Sequence, residues 1–131
     1  MTKILALIFL VASANSYANS NWIYLTSTVD NDEFFIEPNS IQKDGDSVTF
    51  WTKRNFADRT EFGDLSEKIQ RTINCRRREG ILRSIQTYDD INNSGKLTAS
   101  FKSHDSWRRI VPDSAEWLMM SFVCKYKTSK Q

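Results

Sequence analysis

Residues 67–78 read EKIQRTINCRRR, and the alternation in this stretch decides the fold. Ile69, Ile73 and Cys75 fall on one side of an extended chain; Lys68, Gln70, Thr72, Asn74 and Arg76 fall on the other. A period of two with one apolar side marks a half-buried strand. Arg71 interrupts the apolar side. Glu79-Gly80 turns the chain, and Ile81 to Tyr88 returns as the partner strand. Working upstream, Ser47 to Arg54 (SVTFWTKR) runs on from the turn Lys43-Asp44-Gly45-Asp46 as a further strand. Phe34-Phe35-Ile36 follows the charged turn Asp30-Asn31-Asp32 and stops at Pro38, which cannot donate to a ladder. Trp22 to Ser27 is aromatic and β-branched, again strand material. Asn55 to Ser66 and Asp89 to Gly95 read as polar loops, and Leu97, Ala99 and Phe101 give a last short alternation.

Downstream the period changes. In Pro112-Asp113-Ser114-Ala115-Glu116, Asp113 is placed to cap a helix and Glu116 to close a capping box three residues on. Ala115, Leu118, Met119 and Phe122 follow at i, i+3, i+4 and i+7, one apolar stripe. Lys125 and Lys127 lie beside the negative end of the helix dipole. The expected fold is α+β: an antiparallel sheet of about six strands with one C-terminal helix packed on it.

The first eighteen residues read as a secretory signal. Lys3 is the lone charge before the apolar run Ile4 to Ala12, and Ser16-Tyr17-Ala18 puts small residues where signal peptidase reads. Residues 1–18 are therefore expected to leave, with cleavage between Ala18 and Asn19, and 19–131 to form a single domain. Nine apolar residues fall far short of the ~20 that cross a bilayer as a helix, so no membrane span is expected. No Cys lies near the cleavage point to carry a lipid tether. The expected address is the periplasm, with the cell surface or the medium as alternatives.

Two thiols in an exported chain most often form one bridge. Cys75 and Cys124 are the only two, and a bridge would tie the helix end to the strand carrying Ile69 and Ile73. Closing so long a loop removes unfolded-state entropy worth about 4 kcal/mol in the chain-entropy model. The alternatives are a metal pair and a free thiol. A zinc site wants four ligands at close spacing, and the chain offers two distant cysteines and one histidine.

Charge is near balance, +2 formally, but unevenly spread. Residues 19–64 carry nine acids and four bases, whereas 65–131 carry seven acids and thirteen bases, so the two halves can solvate one another. The sharpest basic feature is Arg76-Arg77-Arg78 with Arg83. On a strand Arg76 and Arg78 point one way and Arg77 the other; Arg76, Arg78 and Arg83 are the candidate contacts to an anionic partner. Nucleic acid is not the expected partner, because stacking platforms and bases are not arrayed on one face and export removes it. His104-Asp105 and Asp89-Asp90 read as solvated loop groups, since no nucleophile elbow, Gly-rich loop or facing carboxylate pair accompanies them. Neither catalysis nor a cofactor is expected.

The segments line up with a known family. Trp22; Phe35-Ile36-Glu37-Pro38, Ser40-Ile41 and Asp44-Gly45 running into Val48-Thr49-Phe50-Trp51; Cys75 followed by Arg78; and Trp107, Ile110, Pro112, Ser114 and Cys124 occur in an order that resembles the surface-adhesin protein E family. Glu37 and Asp113 depart from the family's usual Asp and Gly. The resemblance implies an antiparallel sheet with a C-terminal helix held by a Cys–Cys bridge. It also implies a non-enzymatic binding role, toward host extracellular-matrix or other surface proteins, with self-association into a homodimer. The competing expectation is a periplasmic module for a small ligand or an envelope protein. A deep pocket lined by convergent polar groups would favour the module, and an exposed patch would favour the adhesin.

Overall fold

A computed structural model describes residues 21–128 of the chain; the expected signal peptide and its expected cleavage point between Ala18 and Asn19 lie outside them. Its sheet is antiparallel throughout. The strands are β1 (Ile23–Ser27), β2 (Glu33–Ile36), β3 (Gln42–Asp44), β4 (Ser47–Asn55), β5 (Ser66–Asn74), β6 (Glu79–Tyr88), β7 (Leu97–Lys102) and β8 (Arg108–Arg109), and helix α1 is Ala115–Lys125. The six expected strands run in the order β1-β2-β4-β5-β6-β7. Two short ones extend it: β3 pairs with β4, and β8 with β6. Among the described residues no helix is long and apolar enough to cross a membrane.

Register sorts side chains into rows that face the helix. One row runs Val48–Ile73–Gly80–Arg108, and Ile36–Thr52–Ile69–Ile85–Phe101 is another. Ile36, Val48, Phe50 and Ile73 meet Met119, Met120 and Val123 from the helix, with Ile41 and Ile110 closing the sides of the core. The Cys75–Cys124 bridge forms, with its Cα atoms 5.9 Å apart, and fixes the helix end beside this core.

Three local expectations need correction. β5 ends at Asn74, so Cys75 to Arg78 form the connection to β6 and Cys75 is not on the strand. The cause is Asn74 itself: its side-chain carbonyl accepts the Arg77 N–H at 2.9 Å and its backbone carbonyl accepts the Arg78 N–H at 2.9 Å. An Asn that satisfies the next turn in this way ends a strand. The strand alternation assigned to Arg76, Arg77 and Arg78 therefore does not apply.

The cap is Ser114, whose hydroxyl accepts the Trp117 N–H at 3.2 Å. Asp113 is left-handed at φ 64 and cannot take the extended conformation an N-cap needs. With the helix starting one residue later, Glu116 no longer stands at the box position.

The buried stripe is rotated too. Met119, Met120 and Val123 are buried, while Leu118 is 41% exposed and Ala115 and Phe122 only partly covered. Glu116, Met119, Met120 and Val123 have the same i, i+3, i+4, i+7 spacing as the all-apolar set, and the sheet selects them. Arg71 faces the helix, with its Nε on the Thr52 hydroxyl at 3.0 Å. Glu116 approaches Arg71 at 3.9 Å and Arg108 at 3.3 Å. A buried guanidinium needs a carboxylate, so the residue that seemed to spoil the strand sets the phase of the helix. Gly80 makes room for this, because a Cβ there would collide with the Glu116 carboxylate.

Candidate functional site

The helix covers only one end of its sheet face. At the other end the rows Thr52–Ile69–Ile85–Phe101 and Arg54–Glu67–Thr87–Ala99 continue past it. There the β4–β5 connection, residues 56–65, rises beside β6 and β7 and leaves a groove of about 610 Å³. Phe56 and Phe62 line one wall; Ile85, Ala99 and Phe101 line the floor and the other wall. Glu61, Asp64 and Glu67 supply its charges, and among the described residues no basic side chain lines it. Phe62 is 81% and Phe101 52% exposed, so the groove is open to solvent rather than enclosed. β7 forms its rim, with all six residues exposed, and lies at the end of the strand order. It therefore presents unpaired backbone N–H and C=O groups.

The loop wall is held in place from several sides. Phe56 donates its N–H to the Leu65 carbonyl at 2.9 Å, and Thr60 to the Asp64 carbonyl at 2.9 Å. Gly63 at φ 85 closes the turn between them. Arg59 donates to the carbonyls of Gly63 at 2.7 Å and Asp89 at 2.8 Å, and Thr98 of β7 donates to the Asp64 carboxylate at 2.5 Å. At the loop's root, Asp32 accepts the Ala57 N–H at 2.9 Å and the Arg54 guanidinium at 2.6 Å. Arg54 in turn lies 5.0 Å from the ring centres of both Phe34 and Phe56. Binding surfaces that are already ordered lose less entropy on association.

Two carboxyls here are shifted in opposite senses. Burial pushes Glu67 above its ordinary value, against the pull of Arg54 and Arg71. Burial also pushes Asp32 up, but the Ala57 N–H and the Arg54 guanidinium outweigh it and hold Asp32 below its ordinary value. Asp32 therefore stabilises the fold above the unfolded-chain carboxylate pKa of ~3.9, and that contribution disappears as pH falls through its lower folded value. Because Arg54 is about a third exposed, Asp32→Asn is expected to lose on the order of 1 kcal/mol at pH 7. Urea unfolding at pH 7 and pH 3 checks this: the gap between variant and parent should narrow at the lower pH.

The three arginines singled out from sequence do not meet. Arg76 pairs with Asp46 at 3.6 Å at the surface. Arg78 turns toward the Trp117 ring, 5.7 Å from its centre. Arg83 lies on the sheet face away from the helix, donating to the Thr72 hydroxyl at 3.1 Å with the Trp107 ring 5.7 Å away. Phe62 and the groove were missed. Phe101 was legible as a strand position, but nothing in sequence says that the helix stops short of it.

The sequence model of the surface-adhesin protein E family matches residues 22–125. The chain belongs to that family. Solved structures agree on the fold. The structure of Haemophilus influenzae protein E superposes with a TM-score of 0.65 at 19% identity, covering 80% of this chain and 84% of that one. Its crystal form II gives 0.63 at 19% identity, with 80% and 87% covered. Protein E from non-typeable Haemophilus influenzae gives 0.58 at 19%, with 83% and 78% covered. No curated protein matches the chain by sequence. Family membership makes this an adhesin-like binding protein, exported or at the cell surface.

Proposed function

We propose that the chain binds a protein partner through the open groove and the β7 edge, and that binding rather than catalysis is its role. An extended segment of the partner would pair with β7 as an added strand, the mode in which backbone hydrogen bonds supply affinity and alternate side chains supply specificity. The observation that carries this reading is the adjacency of a fully exposed edge strand and an apolar groove on the same strand's inner face. Side chains at every second position of the incoming segment would drop between Phe62 and Phe101. The acids of the groove favour a segment that also carries a basic residue. The groove's openness favours a macromolecule over an enclosed small ligand.

Phe101→Asp puts a charge on the groove wall at a half-exposed position, where the fold tolerates change within ~0.5 kcal/mol. Binding to a panel of purified extracellular-matrix glycoproteins, measured on a sensor surface, is expected to weaken at least tenfold with an unchanged melt. Undiminished binding would remove the groove from the interface.

The address decides which partner is met. We propose the periplasm as the resting address of the mature chain, where envelope proteins are its partners, and matrix glycoproteins as its partners once it is displayed at the cell surface. Cell fractionation with protease treatment of intact cells distinguishes the two: a periplasmic chain is released by osmotic shock and survives the protease.

A further inference from the structure

At the end of β5 and β6 remote from the groove, a second concavity of about 300 Å³ lies where the β5–β6 turn, β8 and the start of α1 meet. Arg77, Arg78 and Arg109 line it together with Ile110, Pro112 and Trp117. We infer that this pocket recognises a sulfated sugar, with the ring against Ile110 and Pro112 and the sulfate held among the three guanidinium groups.

Arg54, Arg71, Arg76 and Arg108 each have a carboxylate within 4.0 Å. Among the described residues Arg77, Arg78 and Arg109 have none, and their side chains donate no hydrogen bond. Glu79 stands opposite Arg109 in the ladder without pairing with it. Each guanidinium carries five donors in a fixed fork. Three such groups around one concavity are complementary to an oxyanion that can accept several bonds at once.

Arg78 sits at φ 56, in the left-handed region. A side chain with a Cβ is disfavoured there, and Gly is the residue that fits without strain. The strain is held in place because the Arg78 carbonyl accepts the Ile110 N–H at 3.0 Å, which locks the turn against the chain just after β8. A strained arginine where glycine would serve the fold better points to a use for its side chain. The Cys75–Cys124 bridge fixes the same turn from its other side.

The Arg78 guanidinium lies over the Trp117 ring, 5.7 Å from its centre, which holds the cation beside the apolar lining of Ile110 and Pro112, as the C–H face and the oxyanion of a substituted sugar require. The guanidinium is weakly hydrated, which matches a sulfate ester, singly charged and itself weakly hydrated, better than a doubly charged phosphate. The volume suits one substituted sugar unit rather than a stacked polymer.

Titration calorimetry with a heparin-derived hexasaccharide, its desulfated counterpart and glucose 6-phosphate is the test. The sulfated probe alone is expected to bind. Arg78→Gly relieves the left-handed strain, so its melting temperature should hold or rise while affinity falls tenfold or more. Arg109→Ala should weaken binding similarly, and Arg76→Ala, outside the pocket, should leave it within twofold. Equal binding of the desulfated probe, tighter binding of the sugar phosphate, or parent-like affinity in Arg78→Gly and Arg109→Ala would each overturn the assignment.

Discussion

Met119→Ala is expected to lower the free energy of unfolding by about 2–5 kcal/mol, the range for large-to-small changes in a packed core. Met119 is 1% exposed and joins the cluster formed by Phe50, Ile36 and Ile73. Removing it withdraws the central helix knob from the sheet and leaves a cavity between two elements held by the bridge, which limits collapse. Leu118, one residue earlier and 41% exposed, should tolerate Ala within ~0.5 kcal/mol. Phe122 is partly buried and stacks on Tyr126 at 5.7 Å, so Phe122→Ala should fall between the two. Denaturant unfolding of the three variants ranks them. A loss for Phe122→Ala larger than for Met119→Ala would restore the stripe predicted from apolar spacing and contradict the observed phase.

Cys75→Ala and Cys124→Ala are each expected to cost about 2–5 kcal/mol, because each deletes the same cross-link. The closed loop spans 49 residues and contains β6, β7, β8 and most of the helix. A helix of eleven residues is marginal on its own, and the bridge confines it near its docking surface in the unfolded chain as well. The double variant should therefore be little worse than either single one, since the two losses describe one bond. Additive losses in a two-by-two thermal or urea series would mean that each cysteine stabilises the fold by its own packing.

The strands themselves were legible because the buried face is written in period two on β4, β5 and β6 and because Gly45 and Pro38 punctuate their ends. What escaped reading depends on contacts between distant residues. Two stripes of equal spacing overlap on α1, and only Arg71 under Glu116 selects the one that is buried. Asn74 ends β5 through its own side chain, in a sequence that continues the alternation beyond it. The two-residue strand β8 has no period to detect. For binding residues the limit is similar. Arg78 was legible as basic, but its neighbour Arg109 arrives through β8 and its aromatic partner Trp117 through the helix. The groove is defined by where the helix ends and where the β4–β5 loop is pinned by Asp32 and Thr98, neither of which composition reveals.

The proposed partner site is β7 and the groove beside it. Amide hydrogen exchange, followed by mass spectrometry with and without a matrix glycoprotein that binds the parent chain, tests it most directly. An added strand would satisfy the outward amides of residues 97–102, so their exchange should slow several-fold, together with that of the loop carrying Phe62. Protection confined to the β1 edge or to the exposed side of α1 around Leu118, with β7 exchanging as in the free chain, would contradict the account.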